Sequence, residues 1–164
     1  MDFDAFTRAV AAPGQPAAAF GALAEMAAAG PGVKLFTALT IDQTAGLLRR
    51  SFSNMPDAYP AKGTKKIADT TITGHLLADA GPVLSDGREA VEANFYDHEL
   101  IFSLGCESCL NVPITVAGEV IGSINLLHAA GHYTPERIEA AKALRLPAVA
   151  AFLIERQWGD ALTV

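Results

Sequence analysis

Cysteine, basic residues and long apolar runs are all scarce in this sequence. Two cysteines among 164 residues are too few for a disulfide framework, and we expect both thiols to be reduced. Lys and Arg together number 12 against 18 Asp and Glu, for a formal net charge of −6. A protein that binds nucleic acid needs a clustered excess of Lys and Arg to neutralise phosphates, so we expect no nucleic-acid partner.

Membrane and secretory signals are missing as well. No apolar run reaches the length of about 18 residues that a membrane-spanning helix needs. The first ten residues, MDFDAFTRAV, are acidic where a secretory signal is basic. We therefore expect a cytoplasmic protein without a membrane partner. What is present is a globular composition, 51% hydrophobic and 18% charged, in a chain long enough for one domain with its own core.

The segment 104–128, LGCESCLNVPITVAGEVIGSINLLH, is predicted to be the centre of the fold. Its two apolar runs, residues 110–116 and 120–127, are rich in β-branched side chains. An Ala-Gly-Glu sequence separates them, which is typical of a hairpin.

The remaining elements are predicted from periodicity and turn signals. They are helices over 2–11, 16–28 and 70–80, strands over 33–41, 47–53 and 83–85, a long loop over 54–68, a helical turn over 88–95 and a terminal helix over 134–158. Proline inside a helix removes a backbone donor and clashes with the preceding turn, so the terminal helix is expected to kink near Pro147.

This order of elements resembles a GAF domain, a sensory module whose sheet carries a small-molecule pocket. The specific part of the resemblance is Val-Pro-Ile at residues 112–114 together with the run 118–126, and the order of elements matches over 33–154. We predict an α+β fold with a central antiparallel sheet of about five or six strands. Helices of both termini would cover one face, and a loop-covered ligand pocket the other. We expect an N-terminal helical segment, 1–32, and a GAF-like ligand-sensing domain, 33–164.

Polar residues in the central hairpin are candidates for the floor of that pocket. A two-residue Ala-Gly turn would need an unfavourable positive φ at Ala117, so we predict a three-residue loop, which keeps odd-numbered positions of both strands on one face. That face would carry Asn111, Pro113, Thr115, Ile121, Ser123 and Asn125, and the other Leu110, Val112, Ile114, Val120, Gly122, Ile124 and Leu126. Two asparagines and a serine are costly to bury without partners. We interpret them as a polar floor that binds a ligand or ordered water; hydrogen bonds to loop backbone are the alternative.

The cover of the pocket is predicted from the loops. Tyr59 is the one large amphipathic side chain of the loop 54–68, where it either forms a wall of the ligand site or anchors the loop. The resemblance to GAF domains implies that Phe95, Asp97 and Glu99 belong to a lid over the sheet.

Two neighbouring arginines follow in the strand 47–53. One of Arg49 and Arg50 must point to each face of the sheet, because side chains alternate along a strand. An arginine under a pocket binds anions, whereas one at a strand end is simply solvated; both interpretations stay open.

Cys106 and Cys109 form a CxxC sequence, which raises a redox and a metal hypothesis. The pair enters a strand, whereas a redox-active pair begins a helix whose dipole lowers the thiol pKa. Extended residues three apart would also point to opposite faces. A zinc site would need a second ligand pair, which only the scattered His98, His128 and His132 could supply, so we expect no metal.

A thiol enzyme is nevertheless the alternative function. The free methionine-(R)-sulfoxide reductase of the GAF family uses pocket cysteines, and Cys106 and Cys109 resemble it in their presence alone. A thiol-dependent reductase of that kind would use these two residues.

The function predicted from all these features is small-molecule sensing. No catalytic triad, phosphate-binding loop or carboxylate pair stands out, and no pattern names the small molecule or a cofactor. Ligand binding would order the lid and change how the terminal helices pack, so that the signal passes to a regulatory partner protein. Amphipathic helices at both ends, residues 1–29 and 134–158, leave apolar surface to cover, which favours a homodimer.

Overall fold

A computed structural model describes residues 1–61, 63–69, 71–79 and 81–159 of the chain. Within these residues the strands are β1 (Leu35–Asp42), β2 (Leu47–Ser53), β3 (Thr64–Lys66), β4 (Val83–Asp86), β5 (Ser108–Val116) and β6 (Glu119–His128). All neighbouring strands pair antiparallel, in the spatial order β3-β2-β1-β6-β5-β4. The predicted α+β fold with a central antiparallel sheet is therefore confirmed.

The helices described are α1 (Phe3–Ala11), α2 (Ala17–Ala29), α3 (Thr71–Asp79), α4 (Arg88–Asn94), α5 (His98–Ser103), α6 (Pro135–Lys142) and α7 (Arg145–Trp158), with a 3-10 turn at Ile67–Asp69. Helix α1 begins where predicted because the Asp2 carboxylate accepts a hydrogen bond from the Ala5 amide at 2.8 Å. No helix in the described part of the chain combines the length and the hydropathy needed to cross a membrane.

The terminal helices cover one face of the sheet, as predicted. Phe20 of α2 meets Phe152 of α7 edge to face, with ring centroids 5.2 Å apart, and both side chains are buried. Gly122 of β6 lies under the Phe152 ring, where an added Cβ would come within 2.5 Å of a ring carbon. The absence of a side chain at Gly122 thus lets α7 lie directly on the middle of the sheet.

Short helices and loops cover the other face. Val91 of α4 and Ile101 of α5 are fully buried there in one cluster with Leu35 and Leu127 of the sheet. Ile101 and Leu127 of this cluster also line the space between the sheet and its cover.

The turn of the central hairpin differs from the prediction. It has two residues, Ala117 and Gly118, with φ of 51° and 83°, so the predicted three-residue loop is wrong. A left-handed alanine costs about 1 kcal/mol, which is tolerated because positive φ at both turn positions matches the twist of the strands.

A bulge in β6 corrects the register of that hairpin. Thr115 pairs with Val120 and Ile114 with Gly122, so Ile121 is the extra residue. Beyond the bulge, odd positions pair with odd positions, as predicted. At the bulge itself the predicted faces are reversed: Ile121 is buried in the helical core, and Val120 packs on the cover side with Ile41 and Leu48.

A second bulge lies in β2. Leu39 pairs with Arg50 and Ala38 with Phe52, which leaves Ser51 unpaired. The alternation predicted along this strand therefore breaks after Arg50, and Phe52 joins Phe20 in the helical core at a centroid distance of 6.0 Å.

Two further boundaries differ from the sequence-based expectation. The terminal helix is interrupted between Lys142 and Arg145, so Pro147 lies in the first turn of α7, where a missing N–H leaves no helical bond unmade. The predicted loop 54–68 contains β3, which pairs with β2. Thr70 and Ala80, the predicted ends of the third helix, and the last residues of the chain, 160–164, lie outside the described residues.

Candidate functional site

A cavity of about 650 Å³ separates the sheet from its cover. Side chains of β1, β2, β5 and β6 form one wall, and residues from the segments 59–73 and 92–101 form the other. The volume lies within the range of about 300–1,000 Å³ that is typical of small-molecule sites. The loop-covered pocket predicted on this face is therefore present as a space of suitable size.

A row of polar side chains crosses the floor of the cavity. Thr37 of β1, Asn125 of β6 and Asn111 of β5 are direct cross-strand neighbours. Their exposed fractions are only 3%, 9% and 2%. Adjacent strands lie about 5 Å apart, so the three side chains form a line across the middle of the sheet.

Hydrogen bonds join both amides of this row to their neighbours. Asn125 Oδ1 accepts from Asn111 Nδ2 at 2.7 Å and from Ser123 Oγ at 2.8 Å, while Asn125 Nδ2 donates to Thr37 Oγ1 at 3.0 Å. The Cys109 thiol donates to Asn111 Oδ1 at 3.4 Å. The floor is thus a preorganised polar network among side chains, and none of these bonds involves loop backbone.

Arg50, Tyr59 and Asp97 form a second cluster, at the edge of the cavity. Tyr59 donates to Asp97 Oδ2 at 2.6 Å, Arg50 Nη2 lies 3.5 Å from the same oxygen, and the Arg50 guanidinium stacks 3.9 Å above the Tyr59 ring. Burial raises the pKa of Tyr59 well above its ordinary value, and Asp97 adds to the increase against the opposing effect of Arg50. Tyr59 is therefore a neutral donor, and the cluster joins β2 to the two cover segments.

Arg49, the neighbour of Arg50, points to the helical face. Its Nη2 lies 2.8 Å from Glu155 Oε1 of α7, and Glu155 is only 4% exposed. Thr40 Oγ1 donates to the other oxygen of Glu155. The two arginines therefore occupy opposite faces, and each forms an ion pair there.

Comparison with known proteins supplies the family. The family model described as GAF domain matches residues 30–146, well over half of the chain. This chain belongs to the GAF domain family. None of the curated protein sequences matches it.

Solved structures of GAF domains share the fold. The GAF domain of a phosphoenolpyruvate-protein phosphotransferase from Coxiella burnetii aligns with a TM-score of 0.69 at 19% identity, over 94% of this chain and 92% of that one. The GAF domain of a two-component sensor histidine kinase from Bacillus halodurans gives 0.68 at 11% identity, over 87% and 96%. A GAF domain/HD domain protein from Geobacter sulfurreducens gives 0.68 at 10% identity, over 84% and 92%. Identities this low establish the fold alone. The division of the chain into an N-terminal segment and a GAF-like domain at residue 32 remains a prediction.

Both cysteines of this GAF domain lie on the cavity side of the sheet. The expectation that the thiols point to opposite faces is wrong, because Cys106 precedes β5 and is not extended within it. Burial raises the pKa of both thiols, most strongly for Cys109, which is fully enclosed. A thiol nucleophile needs the opposite shift, so their surroundings disfavour thiol chemistry.

The cavity brings together most of the residues singled out from the sequence. Its lining includes Tyr59, Phe95, Asp97, Asn111 and Asn125. Ser123 precedes Asn125 by two residues on the same face of β6, is fully buried and reaches the cavity only through its hydrogen bond to that residue. Glu99 is exposed on α5 and is not part of the lining.

Thr37 and Lys65 also line the cavity and were not singled out from the sequence. Thr37 is the one polar residue in the stretch LFTAL at the start of β1, and the pairing of β1 with β6 would have placed it beside Asn125. Lys65 lies on β3, within the segment that was expected to be a loop, and its ammonium stacks 3.7 Å from the Tyr96 ring centre. The position of Lys65 in the site could not be predicted, because no periodicity in the sequence indicates β3.

Proposed function

We propose that this GAF domain is a sensory module that binds a small molecule in the cavity between the sheet and its cover. The observation that carries the proposal is the row of buried polar side chains, Thr37, Asn125 and Asn111, beneath a space of about 650 Å³. The three side chains bond to one another, and burial of the hydrogen-bonding positions that this network leaves unused is unfavourable unless a further partner lies in the cavity. A bound ligand would supply those remaining bonds. A cytoplasmic location stays a prediction.

We further propose that binding is transmitted to a partner protein through the terminal helices. Arg50 contacts Asp97 of the cover, and Arg49 contacts Glu155 of α7 on the opposite face. Because the two arginines are consecutive in β2, a shift of the cover that moves one of them also displaces the other. This connection supports a route from the cavity to α7.

Native mass spectrometry before and after mild denaturation tests the ligand proposal. The folded wild type is expected to carry a small molecule that is released on unfolding and whose mass is then known. Asn125→Leu should abolish the bound species, because it removes the central member of the polar row. Thr115→Val, at the exposed end of β5, is the matched control and should retain it. A wild type that never carries a ligand, and that no small molecule stabilises in a melting screen, would contradict the proposal.

We also propose that the protein is a homodimer through its terminal helices. Leu146, Leu153 and Trp158 of α7 are 76%, 42% and 67% exposed, and Phe3 of α1 is 52% exposed. Leu146 and Leu153 are seven residues apart and so lie on one side of the helix. Such an apolar stripe is typical of a surface that a second copy covers.

Sedimentation equilibrium tests the dimer. Wild type is expected to sediment as a dimer at micromolar concentration, and Leu153→Glu as a monomer with unchanged secondary structure. Arg156→Glu, a change of charge at another exposed position of the same helix, is the control and should remain dimeric. A monomeric wild type would exclude this assembly.

A further inference from the structure

We infer that the cavity selects ligands whose buried end carries hydrogen-bond acceptor oxygens, a carboxylate or a carbonyl, placed against Thr37, Asn125 and Asn111. This inference rests on the proposed function, since it assigns a ligand class to the same cavity. It depends on which hydrogen-bonding positions of the three side chains are already occupied within the protein.

The acceptor capacity of Asn125 is already used. Its Oδ1 accepts two hydrogen bonds, from Asn111 Nδ2 and from Ser123 Oγ, which occupy both lone pairs. Its Nδ2 donates one hydrogen to Thr37 Oγ1. No side chain or carbonyl in the described residues accepts its second amide hydrogen. Asn125 therefore has a donor, and no acceptor, to offer to a ligand.

Each neighbour of Asn125 likewise keeps one unused hydrogen. Asn111 Nδ2 gives one of its two hydrogens to Asn125, and the Thr37 hydroxyl accepts from Asn125 and retains its own proton. Within the part of the chain that the structure describes, neither remaining hydrogen has an acceptor. Three donors therefore lie in one row across β1, β6 and β5.

The row also has two unused acceptor positions, but these restrict the choice of ligand less than the three unused hydrogens do. One lone pair is left on Asn111 Oδ1, which already accepts from Cys109, and one on Thr37 Oγ1. A buried oxygen with one unused lone pair is tolerated more readily than a buried N–H or O–H without an acceptor. The floor is therefore satisfied best by oxygen acceptors and poorly by an amine.

The arginine at the edge of the cavity does not change this preference. The Arg50 guanidinium donates to the Pro60 carbonyl at 2.9 Å and lies beside the Asp97 carboxylate, so its charge is balanced within the protein. The cavity thus has no unbalanced charge at Arg50 that would require an anionic ligand. A carboxylate and a neutral carbonyl both present the oxygen that the three donors need.

Four probes with the same phenyl ring separate these chemistries: benzoate, acetophenone, benzylamine and ethylbenzene. Each is titrated into the wild type while the side-chain amide signals of Asn111 and Asn125 are followed by NMR. At least one of the two oxygen-bearing probes should bind about tenfold more tightly than ethylbenzene, one hydrogen bond's contribution, and should shift both amide signals. Benzylamine should bind no more tightly than ethylbenzene. Comparison of benzoate with acetophenone then separates a carboxylate from a carbonyl.

Variants at Thr37 provide the matched test. Thr37→Val keeps the shape and removes the hydroxyl donor, so the affinity of the favoured oxygen probe should fall by a factor of about ten. Thr37→Ser keeps the donor and should bind nearly as well as wild type. If Thr37→Val does not fold, the wild-type amide shifts still decide the question.

The outcomes separate the inference from the proposed function. Tightest binding by benzylamine, or equal binding by all four probes, would overturn the acceptor preference and leave a ligand-binding cavity in place. Failure of all four to bind would also overturn the preference. The proposed function falls with it only if native mass spectrometry and the melting screen find no ligand either.

Discussion

The buried carboxylate of Glu155 offers the sharpest test of how the terminal helix is held on the sheet. Glu155→Gln preserves the size of the side chain and removes its charge. In the wild type the carboxylate accepts a hydrogen bond from Thr40 and forms a 2.8 Å ion pair with Arg49 while being 4% exposed. A hydrogen bond to a charged group contributes about 1.5–3 kcal/mol. Arg49 is 20% exposed, so hydration of its guanidinium compensates in part for the ion pair that the variant loses.

From these contacts we expect Glu155→Gln to lower the free energy of unfolding by about 2 kcal/mol. For a chain of this length, that change corresponds to a fall of about 6 °C in melting temperature. Urea unfolding followed by circular dichroism measures it, with the exposed Glu119→Gln as the control. A double-mutant cycle with Arg49→Met should give a coupling of at least about 1 kcal/mol. A loss below about 0.5 kcal/mol, the range of ordinary surface substitutions, would refute the argument that this ion pair fastens α7.

Three further predictions concern Gly122 within the sheet, Ala117 in the hairpin turn and His128 at the end of β6. Gly122→Ala should destabilise the fold by at least about 2 kcal/mol in urea unfolding, because the new methyl group would approach within 2.5 Å of the Phe152 ring; a neutral effect would show that α7 is free to shift. Ala117→Gly should raise the melting temperature, because glycine adopts the φ of 51° without strain; a decrease would contradict the two-residue turn. Partial burial and the stacked His132, 3.5 Å away, lower the pKa of His128 below its ordinary value of 6.5. Because the unfolded chain binds the proton more readily, the free energy of unfolding should fall as the pH drops from 6.5 toward the pKa of the folded state. His128→Asn should flatten this part of the curve of unfolding free energy against pH, measured by urea unfolding. An identical curve in the variant would contradict the assignment.

The polar floor could be predicted from the sequence because it depends on few local facts. Asn111, Ser123 and Asn125 interrupt two apolar strands, and a hairpin places strands of adjacent sequence side by side. The partner on β1 was harder to find, since Thr37 joins the row only when the register between β1 and β6 is known. A threonine within a strand is otherwise unremarkable because β-branched residues favour strands.

The two bulges could not be predicted for a different physical reason. A bulge is stabilised by the tertiary contacts on each side of the sheet, such as Ile121 in the helical core and the bond of Ser51 Oγ to Thr40 Oγ1 at 2.7 Å. Neither contact can be recognised from the pattern of apolar and polar residues in its own strand. The predicted placement of Asn111 and Asn125 on one face was nevertheless confirmed, because the bulge at Ile121 offsets the two-residue turn. Two departures from the prediction, in the turn and in the strand, thus cancelled at the floor.

The bulge at Ser51 also bears on the proposed route from the cavity to the helices. It follows directly after Arg49 and Arg50, so the strand changes its alternation immediately beyond the two residues that form ion pairs on opposite faces. A bulge bends its strand and interrupts the ladder of hydrogen bonds, which makes that point of β2 easier to displace than the regular strands beside it. A ligand that alters the contact between Arg50 and Asp97 would therefore act on a part of the sheet that is less constrained than the regular strands beside it. The same part holds Glu155 of α7 through Arg49.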